Sequence, residues 1–163
     1  MIVVADASPL IFLAKIRRLD LIPALLGGDI RVPKAVCKEL FFSRMDPAEE
    51  GILRSFLDAC RIEAVERPSS FASAMSAADN AALTLAVRYK AEFLLCDERI
   101  TRRMAEAEGI RPMGTLGVLL RAMRNDLLDQ TETRRLVDLL VISHGFRIGV
   151  GLYQAVLAEI QRR

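Results

Sequence analysis

The sequence predicts a three-layer α/β/α fold around a mostly parallel sheet, and three observations carry that prediction. Short apolar runs alternate with stretches of helical period along most of the 163 residues. Runs such as Ile2-Val3-Val4 and Phe93-Leu94-Leu95 have no polar face, as in strands covered on both sides. Two of these runs lead into an aspartate followed by a helix, and the carboxyl edge of an open α/β sheet is where ligands bind.

The elements follow in order. The first strand ends before Asp6. Ser8 is placed to cap the next helix, with Pro9 suited to its first position and an apolar run over 10–16. Asp6 then either caps that helix itself or serves as a ligand. A second short helix over 19–26 is stopped by Gly27-Gly28, and a brief strand covers 29–32. Pro33 opens a helix over 34–42 that turns Val36 and Leu40 inward and carries Glu39 where a side chain can reach back to the sheet edge. A helix over 50–60 and a weak strand over 62–65 lead to the loop 67–70, the one candidate for a mobile segment in this half.

A clear helix spans 76–89, with a stripe of small residues (Ala78, Ala81, Ala82, Ala86) that lets it lie close against the sheet. Ser76 is its expected cap. Asp79 falls in the first turn, where a carboxylate also complements the helix dipole. The strand 93–96 leads into Asp97 as the first strand leads into Asp6. The helix over 98–108 is expected to bury Ile100 and Met104 and to carry Arg99, Arg102 and Arg103 on the opposite face. A last strand covers 110–113. Gly114-Thr115-Leu116-Gly117 is read as a turn before a helix over 118–124, and two more amphipathic helices cover about 131–143 and 152–163.

This reads as one domain over 1–163, with a core of about 1–113 and a C-terminal helical extension of about 114–163. A sheet edge and face do not obviously cover the apolar stripes of all three added helices, so a homodimer is expected, the alternative being that these helices fold back to thicken the core. The net charge of +2 does not mark a broadly basic nucleic-acid binder, although a local basic surface offset by clustered acids is compatible with it. Cys37, Cys60 and Cys96 show neither disulfide nor zinc spacing and read as reduced residues of a cytoplasmic protein. The positive charges near the N-terminus follow the apolar run, against a secretion signal. No segment has the roughly 18 uninterrupted apolar residues that a membrane span needs.

Asp6, Glu39, Asp79 and Asp97 are therefore expected at one sheet edge. Clustered carboxylates repel one another unless a cation neutralises them. Oxygen ligands without nearby His or Cys favour Mg²⁺ or Mn²⁺. Such a site suits phosphodiester hydrolysis.

The runs Val4-Ala5-Asp6-Ala7-Ser8-Pro9-Leu10-Ile11, Val32-Pro33 with Val36-Cys37-Lys38-Glu39-Leu40, Asp79-Asn80-Ala81-Ala82-Leu83 and Leu94-Leu95-Cys96-Asp97-Glu98 resemble, in order and spacing, those of PIN-domain nucleases. Gly114-Thr115-Leu116-Gly117-Val118-Leu119-Leu120 and Gly145-Phe146-Arg147-Ile148 resemble a bacterial and archaeal PIN-like subfamily of predicted nucleic-acid-binding proteins. The resemblance implies a parallel sheet of about five strands and a Mg²⁺- or Mn²⁺-dependent endoribonuclease, with Asp6, Glu39, Asp79 and Asp97 as catalytic metal ligands. It matches Ser8 to the hydroxyl residue common after the first aspartate. Asp79 stands where relatives often have a longer Glu. An antitoxin-like protein partner is compatible with the family but not implied by these motifs.

Arg99 and Arg102 are candidates for holding substrate phosphates, against the alternative of a solvated face. His144, Phe41, Phe42, Phe146 and Tyr153 are read as structural. An aspartyl-phosphate transferase would carry an aspartate where this chain has Ser8, and no glycine-rich phosphate loop is present. The remaining rival to the nuclease is a PIN-like RNA- or protein-binding module with a degenerate site.

Overall fold

The computed structural model describes residues 1–163. Strands β1 (Ile2–Ala5), β2 (Asp29–Pro33), β3 (Arg61–Glu63), β4 (Phe93–Leu95) and β5 (Arg111–Met113) form one sheet in the order β3-β2-β1-β4-β5, with every neighbouring pair parallel. The chain moves outward from β1 to β2 and β3, then returns to the other side of β1 for β4. The strand order therefore reverses at β1/β4, and the crevice outside their carboxyl ends is the expected ligand position. Val3, Val4, Ala5, Leu94 and Leu95 are fully buried, as central parallel strands require.

The helices are α1 (Ala7–Lys15), α2 (Leu21–Leu26), α3 (Lys34–Leu40), α4 (Pro47–Asp58), α5 (Ala77–Arg88), α6 (Arg99–Ala107), α7 (Thr115–Arg124), α8 (Gln130–Ser143) and α9 (Val150–Gln161). They cover the sheet to make a three-layer α/β/α arrangement. The expected small-residue stripe on α5 is buried and packs across β1, β2 and β4. The loop before α5 is tied to that helix, because Ser69 N–H donates to Thr84 Oγ1 (2.8 Å) and Phe71 N–H to Asn80 Oδ1 (3.0 Å). None of the helices is long and apolar enough to cross a membrane.

Several expectations change in detail. Helix α1 begins at Ala7, so Ser8 lies inside it and does not cap it. Asp6 holds the cap position, yet its side chain makes no capping hydrogen bond. Strand β4 stops at Leu95 rather than Cys96. On α6 the fully buried side chains are Thr101 and Ala105, while Ile100 and Met104 are only half-buried. Gly114 to Gly117 is no turn, because α7 starts at Thr115 with Gly114 as its cap residue.

The C-terminal helices are folded back on the molecule. Helix α7 packs against α1, α2, α8 and α9. Leu119, Met123, Leu136, Leu140, Val156 and Ile160 join the hydrophobic core that contains β1 and β4. Most of the apolar surface expected to need a partner is thus covered within the chain. What remains outside is smaller, chiefly Ile142, Val150 and Leu152.

Candidate active site

Asp6 follows β1 directly, and its N–H donates to Leu95 O (2.9 Å), which carries the β1/β4 ladder one step further. Its side chain is 2% exposed and its Oδ1 accepts no hydrogen bond. A helix cap would have used that oxygen on an N–H of the first turn. Burial holds the Asp6 carboxyl well above the usual carboxylate range. A hydrogen bond with Asp79 and the Asp79 charge push it further the same way, the Ala7 N–H opposes them, and the Glu39 charge adds a smaller upward push.

Asp79 arrives from α5 by a capping box. Ser76 Oγ accepts from the Asp79 N–H (3.1 Å), and Asp79 Oδ2 accepts from the Ser76 N–H (3.1 Å). The helix-start chemistry expected of Ser76 and Asp79 is therefore present. Because the same box sits beside β1, it also sets the Asp79 carboxylate against Asp6. Glu39 lies exposed on α3. Partial burial raises its pKa first, followed by the charges of Asp79 and Glu98. Glu98 thus joins the acidic group. The signal for it was its place next to Asp97.

Asp97 has different surroundings. The register pairs Ala5 with Leu95, so Asp6 is level with Cys96 and Asp97 lies one residue further out. Successive side chains alternate faces, so the two aspartates are not equivalent despite their similar sequence contexts. Ser8 Oγ donates to Asp97 Oδ2 (3.0 Å), Thr115 Oγ1 donates to the same oxygen (2.7 Å), and Thr115 N–H donates to Oδ1 (2.7 Å). Ser8 is therefore occupied in orienting Asp97. Gly114 makes room for this arrangement: a Cβ there would lie 2.7 Å from Asp97 Oδ1 and 3.1 Å from Arg102 Nη1. In the sequence Gly114 and Thr115 read only as part of a turn and of the subfamily motif, with nothing to place them at the acidic site. The acids flank Cys96, whose thiol is pushed far up by burial first and then by the Asp6 charge, with Asp97 and Asp79 adding to it and Arg102 opposing.

The structure thus brings Asp6 and Asp79 together, with Glu39 and Glu98 close enough to act through charge, and holds Asp97 on its own anchors. No three of these acids converge to the spacing of one ion's ligands. The donor set nevertheless fits a hard divalent cation. Two adjacent carboxylates carry between them a buried oxygen with no donor, and Mg²⁺ commonly binds through one or two carboxylates while keeping several waters.

Of the arginines beside Asp97, Arg102 is half-buried and donates to Cys96 O (3.3 Å), whereas Arg99 and Arg103 are exposed. A cleft of about 1080 Å³ opens at Ser8 and Asp97 and runs between α7 and the linker that joins α8 to α9.

The family model described as DUF3368, PIN domain, matches residues 2–162. No curated protein matches the chain. Among solved structures, a PilT N-terminus domain protein, SSO1118, from the hyperthermophilic archaeon Sulfolobus solfataricus P2 is similar with a TM-score of 0.58 and 13% identity, over 72% of this chain and 90% of that one. At that identity the likeness is one of fold.

Proposed function

The chain belongs to the PIN domain family, whose members are generally nucleases, and from that premise we propose that it is a metal-dependent endoribonuclease acting on single-stranded or structured RNA. One observation carries the reading: Asp6, buried at the β1/β4 switch point, leaves an oxygen without a donor beside a second carboxylate, Asp79. A helix-capping role would have set that oxygen on an N–H of the first turn, and buried polar atoms are seldom left without a partner. Asp6 and Asp79 would hold Mg²⁺ or Mn²⁺, with Glu39 and Glu98 within electrostatic reach and Asp97 completing the acidic edge. A divalent cation there supplies charge neutralisation at the phosphodiester and a more acidic water at neutral pH.

The remaining work falls to the chain. The Asp6 and Asp79 carboxylates supply the negative charge that draws the cation, and in its absence the Asp6 carboxyl keeps its proton to a higher pH than an ordinary carboxylate. Ser8 and Thr115 fix the Asp97 carboxylate so that it faces an incoming phosphate or water with no freedom to rotate. Arg102, anchored on Cys96 O, presents positive charge beside that carboxylate, and Arg99 lies further out on the same helix as a second phosphate contact.

The test is cleavage of labelled single-stranded RNA with Mn²⁺ by the wild-type chain and by Asp6→Asn, with Mn²⁺ binding measured alongside. Carboxylate-dependent binding together with cleavage that Asp6→Asn abolishes is the expected outcome. The rival, a non-catalytic RNA- or protein-binding module, is favoured by one observation, that both Asp97 oxygens already accept hydrogen bonds. It predicts no Mn²⁺ binding that depends on Asp6.

A further inference from the structure

We infer that the cleft running from Asp97 along α7 to the α8–α9 linker is the track of a single-stranded RNA, and that Arg102, Arg121, Arg124 and Arg147 hold the phosphates of that strand. The inference rests on the endoribonuclease reading and adds to it the surface along which the substrate lies. Four arginines line the cleft against two acids, Asp97 and Glu98, both at the end where the acidic edge begins. A basic channel that terminates in an acidic site suits a polyanion whose reacting phosphate lies at the acid end.

The state of the arginines supports this role. Arg124 is paired with Glu159 (2.7 Å), whereas Arg102, Arg121 and Arg147 form no ion pair with the protein. Guanidinium groups gathered in one cleft without ion-pair partners of their own repel one another, and phosphates relieve that repulsion. Their positions are held by packing. Arg121 lies with its guanidinium 5.2 Å from the Phe93 ring centre. Arg147 follows Phe146, which meets Phe12 edge-on at 4.9 Å and donates its N–H to Leu140 O (3.0 Å). The linker is therefore pinned across α1 and holds Arg147 at the cleft. On this account the C-terminal third supplies a wall of the binding track as well as adding to the core.

The test is fluorescence anisotropy of a labelled single-stranded RNA oligomer with EDTA present, so that binding is read without cleavage, over a series of salt concentrations. Arg121→Ala with Arg147→Ala should bind about tenfold more weakly near 50 mM salt, and log affinity should fall less steeply with log salt by about 1.4, or about 0.7 for each phosphate no longer held. Arg88→Ala with Arg135→Ala removes the same charge from exposed positions outside the cleft and should bind like wild type. Because Arg121 also packs near Phe93, Arg147→Glu at an exposed position must weaken binding by itself. Equal binding by wild type and the Arg121/Arg147 double variant, or equal losses in both double variants, overturns the inference. So does absence of RNA binding by wild type. Cleavage with Mn²⁺, scored separately, then shows whether the endoribonuclease reading has failed with it.

Discussion

Replacing Asp6 by Asn exchanges one buried oxygen for an amide nitrogen and separates metal binding from folding. Without metal, the wild-type chain buries a carboxyl whose Oδ1 has no donor and which faces the Asp79 carboxyl. A buried polar atom left unpaired costs about 1–3 kcal/mol, and more when it is charged. The Asn amide removes the charge and can donate to Asp79, so Asp6→Asn should gain about 1–3 kcal/mol, a rise in Tm of about 3–9 °C for a chain of this size. Adding Mn²⁺ should close or reverse that gap. At a metal concentration about 100 times its Kd, wild type gains about 2.7 kcal/mol by mass action, and the variant should gain little. Differential scanning calorimetry with EDTA and then with Mn²⁺ reads both effects. An Asp6→Asn protein that melts below wild type in EDTA would show that Asp6 is a structural acceptor and refute the reasoning, as would an equal response of both proteins to Mn²⁺.

The pH dependence has a definite sign. Folded Asp6 keeps its proton to a higher pH than the ordinary 3.8, so above about pH 4 the folded state binds more protons than the unfolded one and metal-free stability falls as pH rises through the raised value. Denaturant midpoints taken across that range should show this decline in wild type and a shallower one in Asp6→Asn. Gly114→Ala places a methyl group against Asp97 Oδ1, so it should lower kcat of RNA cleavage by at least about tenfold while costing only about 1–3 kcal/mol of stability; unchanged cleavage would mean that the orientation of Asp97 is immaterial. Leu119→Ala, at a fully buried position of α7, should cost about 2–5 kcal/mol by urea denaturation, and a loss below about 1 kcal/mol would mean that the C-terminal helices are not integral to the core. The homodimer expected from the helical stripes would use the exposed apolar side chains left on α8 and α9; light scattering should then give a dimer mass that Ile142→Asp reduces to that of a monomer, and a wild-type monomer mass that persists on concentration refutes it.

Much of the architecture is local, and so it is legible in the sequence. The apolar runs at β1 and β4, the small-residue stripe of α5 and the Ser76 cap are each written within a dozen residues, and periodicity reads them directly. The short strands leave the topology few options, and a parallel sheet with carboxylates at its carboxyl edge follows. The relations between distant segments are not legible in this way. Whether Asp6 and Asp97 face each other depends on pairing Ala5 with Leu95, a register set by packing across some ninety residues. The neighbourhoods of Ser8 and Gly114 are likewise invisible, since a hydroxyl at a helix start reads as a cap until a carboxylate from another strand accepts its hydrogen bond. The apolar stripes of the last three helices state that each must be covered. Tertiary packing alone decides that they cover one another and the helices α1 and α2, because burial depends on area removed from water and is indifferent to which surface removes it.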